Sequence, residues 1–163
     1  MFFISNSQFN FIFLYTQKNN LLHTTRPPII STNFNQQIME KQTTILIVDD
    51  KPEIAKVIKI HLSADYEVFY HRNPIEALSW MHEGHIPDLI ISDVYMPEMN
   101  GHEFLLQLKA SSLFNDIPVI VLSSMENSGD RIQLLEDGAD DFILKPFNPQ
   151  ELKIRVRNIL RKK

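Results

Sequence analysis

Thr44-Ile45-Leu46-Ile47-Val48-Asp49-Asp50-Lys51-Pro52 joins an unbroken β-rich apolar run to two acids and then to a proline suited to the first turn of a helix. The run reads as a strand over 44–48 covered on both faces. Beyond Pro52, Ile54, Val57, Ile58 and Leu62 form an apolar stripe at helical spacing. The same beat returns four times. Further strands are predicted over 66–70, 89–92, 119–122 and 142–144. Helices follow from Pro74 to a stop at Gly84, from about His102 with Phe104, Leu105 and Leu108 inward, over 130–137 closed by Gly138, and from Pro149 with Leu152, Val156, Ile159 and Leu160 inward. Five strand-helix units in series predict an α/β domain with a doubly wound, five-stranded parallel sheet and helices on both faces. The mixed strand Tyr66-Glu67-Val68-Phe69-Tyr70 suits an edge.

Composition bounds the rest. The 163 residues, 44% hydrophobic and 22% charged, have room for one packed domain. With 16 basic and 20 acidic residues the net charge is -4, so the basic excess that drives non-specific nucleic-acid binding is missing. The absence of cysteine excludes a disulfide framework, a thiolate metal site and a cysteine nucleophile, and suits a cytoplasmic protein. Residues 1–39 differ from everything after them: all 20 acids and all four glycines lie beyond residue 39, while six of the 11 phenylalanines lie before it. The longest apolar run there, Phe11 to Tyr15, is far short of a membrane span, and Lys18 follows it where a secretory signal needs basic residues first. Residues 1–39 therefore read as a disordered leader, or as sequence upstream of a true start at Met39, and residues 40–163 as the domain.

In doubly wound sheets function gathers beyond the carboxyl ends of the strands. Those positions hold Asp49 and Asp50 after the first strand, Asp93 after the third, Ser123 and Ser124 after the fourth, and Lys145 after the fifth. Three carboxylates at one end of a sheet repel each other and call for a cation. A hard divalent ion with oxygen ligands, Mg²⁺ above all, fits that set, and Lys145 adds a point donor for a phosphoryl oxygen. With Ser123 as a hydroxyl donor, the parts suit transfer of a phosphoryl group onto an aspartate. The histidines offer no comparable pattern, since His82-Glu83-Gly84-His85 lacks the spacing of a helical zinc pair.

Four motifs then carry a resemblance: Ile45-Leu46-Ile47-Val48-Asp49-Asp50, Ser92-Asp93-Val94-Tyr95-Met96-Pro97-Glu98-Met99-Asn100-Gly101, Val121-Leu122-Ser123-Ser124, and Gly138-Ala139-Asp140-Asp141-Phe142-Ile143-Leu144-Lys145-Pro146-Phe147. In this order and spacing the chain resembles the receiver domains of two-component response regulators, over about residues 43–161, and most of all the stand-alone chemotaxis type. The resemblance implies a flavodoxin-like three-layer sandwich with strand order 2-1-3-4-5. It implies that Asp93 is the phosphoacceptor and that Asp49, Asp50, Asp93 and the backbone carbonyl of Tyr95 hold Mg²⁺ or Mn²⁺. Ser123 and Lys145 would contact the phosphoryl group, Ser123 and Phe142 would form the switch, and a cis peptide would join Lys145 to Pro146. The implied donor is a sensor histidine kinase or a histidine phosphotransfer protein. Output would pass to a protein target, without direct nucleic-acid or membrane contact, from a monomer or a phosphorylation-dependent dimer.

Three residues depart from the commonest family pattern. Phe142 lacks the hydroxyl of the usual tyrosine, Ser123 stands for a frequent threonine, and Tyr95 puts a large side chain two positions beyond Asp93, where it is expected to hinder attacking water. Whether Phe142 is a plain core ring or a rotating one is not readable from sequence. Two other classes fit less well. A haloacid-dehalogenase-like phosphatase requires a second aspartate where Tyr95 stands, and a nucleotide-binding module requires a glycine-rich phosphate loop that the chain lacks. A degenerate receiver acting as a phosphorylation-independent binding module is disfavoured by the full acidic set.

Overall fold

In the computed structural model, residues 42–124 and 128–162 are described. The leader expected over 1–39 lies outside them. Five strands, β1 (Thr44–Val48), β2 (Glu67–His71), β3 (Leu89–Asp93), β4 (Val119–Ser123) and β5 (Asp141–Leu144), alternate with five helices, α1 (Pro52–Leu62), α2 (Pro74–His82), α3 (Gly101–Ala110), α4 (Ser128–Glu136) and α5 (Pro149–Leu160). The strands pair in parallel in the order β2-β1-β3-β4-β5, the order expected, with the mixed strand β2 at an edge.

Because side chains alternate along a strand, the apolar runs of β1, β3 and β4 feed two cores at once. Leu46, Val48, Ile90, Val119 and Val121 face one side and meet Ala77, Met81, Phe104, Leu105, Leu108 and Leu134 of α2, α3 and α4. Ile45, Ile47, Leu89, Ile91, Ile120 and Leu122 face the other and meet Ala55, Ile58 and Leu62 of α1 with Leu152 and Val156 of α5. Asparagines start three of the helices: Asn73 accepts from the Glu76 amide, Asn148 from the Gln150 amide, and Asn100 forms a reciprocal capping box with Glu103.

Some boundaries shift, each for a visible reason. β2 starts and ends one residue later than expected, since the Asp49 amide donates to the His71 carbonyl at 3.3 Å and carries the pairing past Tyr70. Asp93 and Ser123 are the last residues of their strands rather than the first residues beyond them. α3 opens at Gly101 because the capping box sits at Asn100, and α4 begins at Ser128, two residues before the expected start. The apolar stripe of α1 differs from the expected one. Ala55, Ile58 and Leu62 are the buried face, Ile54 packs partly against it, and Val57 is 39% exposed, rotated away from the sheet. We expect Ile58→Ala to cost about 2–5 kcal/mol of stability, and Val57→Ala no more than about 0.5 kcal/mol, by urea denaturation of the two variants.

Candidate functional site

The parallel order sets the carboxyl ends of β1 and β3 side by side, with Val48 opposite Ser92, so the acids after or at the ends of both strands converge. Asp49 and Asp93 are buried and Asp50 is partly exposed; one carboxylate oxygen from each lies within 4.8 Å of the others. Lys145 follows β5 directly, its amide donating to the Ser123 carbonyl at 2.7 Å. From there its side chain crosses the end of β4 and places Nζ 2.7 Å from Asp49 Oδ2 and 2.8 Å from Asp93 Oδ2. The remaining oxygens of these two acids accept backbone donors: Asp49 Oδ1 takes the Lys51 amide and Asp93 Oδ1 the Val94 amide, both at 2.8 Å.

Asp50 is held differently. Its Oδ1 is buried without a hydrogen-bond partner among the described residues, and the Lys51 ammonium stands off at 3.9 Å. A buried carboxylate oxygen left without a donor is costly. One ammonium offsets one of three charges, so the cluster suits a divalent cation: hard oxygen ligands, excess negative charge and an unsatisfied oxygen among them. These residues could hold such an ion.

Ser123 is fully buried at the end of β4, and its carbonyl binds the backbone of Lys145. Phe142 lies in β5 opposite Val121 and away from the acids, in the core beneath α2, α3 and α4. It is 4% exposed, with the Arg131 guanidinium 5.6 Å above its ring. The Tyr95 side chain is 54% exposed and lines an open cavity of about 330 Å³ with Val94, Asn100 and Leu134. The Lys145–Pro146 peptide is cis.

Two residues close to the acids were not singled out from sequence. Gly101 opens α3 against the strand that ends in Asp93, and its amide donates to the Val94 carbonyl at 2.8 Å. A Cβ there would stand 1.9 Å from the Asp93 carbonyl oxygen, so any larger residue would displace the backbone of that acid. Tyr70 of β2 donates its hydroxyl to the Asp49 carbonyl at 3.0 Å; burial, above all, pushes its phenol above the ordinary 10.0, so it remains a donor at neutral pH.

A family model for the response regulator receiver domain matches residues 45–157. The chain belongs to this family. Response regulator Rre1 of Synechocystis sp. is 38% identical over 124 residues, 75% of this chain and 53% of that protein. The signal receiver domain of a signal transduction histidine kinase from Syntrophus aciditrophicus is 40% identical, with a TM-score of 0.68 over 74% of this chain and 91% of that one. A response regulator structure from Chloroflexus aurantiacus is 35% identical, with a TM-score of 0.70 over 74% and 99%. The chain spans about half the length of the curated regulator it matches. Receiver domains of this family are the phosphoacceptor modules of two-component signalling. Among the described residues, no helix is long and apolar enough to cross a membrane.

The receiver's acids carry a pH signature. Burial pushes the Asp49 carboxyl above its usual 3.8, and the nearby Asp93 adds to the rise, against the lowering effect of the Lys145 and Lys51 hydrogen bonds. The folded state thus holds this proton more tightly than the unfolded chain. Stability falls as pH rises through the interval between 3.8 and the raised value. In metal-free buffer Asp49→Asn should therefore unfold a few degrees above wild type at neutral pH, and the gap should close as the pH is lowered toward 3.8. Thermal unfolding across that range checks both halves.

Proposed function

We propose that Asp93 accepts a phosphoryl group from a histidine kinase or phosphotransfer protein, and that the resulting change in surface is read by a protein target. The observation that carries this is the single Lys145 ammonium shared at 2.7 and 2.8 Å between Asp49 and Asp93, beside an Asp50 oxygen with no donor among the described residues. Asp49, Asp50 and Asp93, with the Tyr95 carbonyl, would hold Mg²⁺ or Mn²⁺. When bound, the ion offsets charge on the phosphoryl oxygens.

This chain's residues do the rest. An Asp93 carboxylate oxygen attacks phosphorus, an O–P bond forms, the donor's N–P bond breaks, and its imidazole leaves with the bonding pair. The Val94 amide holds the second Asp93 oxygen and so presents the attacking one. Lys145, already at Asp93, moves its ammonium onto a phosphoryl oxygen, exchanging a carboxylate partner for a phosphate one. The Ser123 hydroxyl donates to another phosphoryl oxygen. Movement of β4's end toward it loosens packing around Phe142, which lies one strand away under Arg131. That shifts the population between two conformers of the helix-bearing face.

Dephosphorylation is the reverse problem, with water attacking phosphorus in line and Asp93 leaving as carboxylate. The Tyr95 ring, two residues from Asp93, screens that approach and lengthens the phosphorylated lifetime. Incubation of the protein with acetyl phosphate and Mg²⁺ should give one base- and hydroxylamine-labile phosphoryl group per chain, absent in Asp93→Asn. Its decay should quicken in Tyr95→Asn. A label that survives Asp93→Asn contradicts the acceptor assignment, and a decay equal to or slower than wild type in Tyr95→Asn contradicts the screening role.

A further inference from the structure

The peptide between Asp49 and Asp50 needs an anchor that the sheet does not supply. β1 ends at Val48, and the last ladder contact on the β2 side is the Asp49 amide donating to the His71 carbonyl at 3.3 Å. The Asp49 carbonyl lies past the end of that ladder. It accepts instead from the Tyr70 hydroxyl at 3.0 Å, a side chain 21 positions away in sequence. Tyr70 stands opposite Ile47 in the edge strand, and its ring packs against the core beneath α1 beside Pro52 and Ala55. The partly buried ring is seated by that packing, and the hydroxyl is aimed by the ring.

We infer that Tyr70 is a positioning residue for the acidic site: by holding the Asp49 carbonyl, its hydroxyl sets the peptide plane from which Asp50 projects, and so aims the Asp50 carboxylate at a divalent cation. The peptide unit is planar, so a fixed Asp49 carbonyl also fixes the Asp50 amide and Cα. Side-chain contacts do not do this for Asp50, because its Oδ1 has no hydrogen-bond partner among the described residues and Lys51 is 3.9 Å away. Asp49 differs, since both of its carboxylate oxygens are already held. Backbone orientation is therefore what places Asp50: the Asp49 carboxylate pins its far side through the Lys51 amide, and Tyr70 pins its near side through the Asp49 carbonyl. A phenylalanine would fill the same space and leave the carbonyl without its donor.

This inference rests on the metal-site reading above, and the experiment separates the two. Calorimetric titration of the full chain with Mg²⁺ is compared for wild type, Tyr70→Phe and Tyr70→Leu, alongside thermal unfolding of each without metal. Loss of one hydrogen bond should weaken Mg²⁺ binding by about three- to tenfold in Tyr70→Phe, with only a small drop in its metal-free Tm. Tyr70→Leu should lower the Tm as well, because it also removes the ring. A Tyr70→Phe affinity within about twofold of wild type overturns the inference while leaving the metal site standing. The inference also fails if only Tyr70→Leu weakens binding, since ring packing would then be the cause. A wild type that binds no Mg²⁺ overturns the metal site and this inference together.

Discussion

Lys145 holds two buried carboxylates that would otherwise repel each other, and much of the molecule is arranged to make that contact. Its ammonium is within 2.8 Å of both Asp49, just beyond β1, and Asp93, the last residue of β3. Burying one ion pair already costs most of what the attraction returns, and burying two acids with a single cation costs more. The order β2-β1-β3-β4-β5 makes the contact available, because it lines up the ends of β1 and β3 and lets a residue just past β5 reach across β4 to both. The two apolar cores on either side of the sheet supply the stability that such a site drains.

The acids are also held by hydrogen bonds to and from the surrounding backbone. Asp93 is fixed at its carboxylate by the next amide, and Gly101 lies so close to its carbonyl that an added Cβ would stand 1.9 Å away. Asp49 is fixed at its amide, its carbonyl and both side-chain oxygens. Among the three acids, Asp50 keeps an unsatisfied oxygen. The result is a preformed acidic cradle, in which a cation or a phosphoryl group changes the electrostatic balance rather than building a site from nothing. Stability given up in this way is the usual cost of a functional cluster.

Which of these features are legible in the sequence follows from the physics of each. Strands buried on both faces read as continuous apolar runs, so Ile45 to Val48 and Val119 to Leu122 declare themselves, and Asp49, Asp93 and Lys145 fall at strand ends that the topology then gathers. Val57 misleads because an apolar residue next to a buried stripe carries no sign of which way it points, and Ala55, which is buried, carries little hydrophobic weight. Tyr70 reads only as the end of an edge strand, since its partner is a backbone carbonyl and backbone groups leave no trace in sequence. Gly101 stands inside a motif that the sequence does show, yet its role depends on a close approach between a helix start and a strand end. The inward ring of Phe142 under Arg131 is a matter of rotamer and neighbour, which sequence does not encode locally.

The proposed coupling runs from charge at Asp93 through Ser123 and Lys145 to the packing around Phe142. Amide NMR spectra of the protein recorded before and after addition of beryllofluoride and Mg²⁺ test it most directly, since that complex mimics a phosphoryl group on an aspartate. The coupling predicts shifts at Asp49, Asp50, Asp93, Ser123 and Lys145 that continue into β5 at Phe142 and into α4 at Arg131. A spectrum left unchanged, or one changed at the acids alone with Phe142 and Arg131 unmoved, would contradict it.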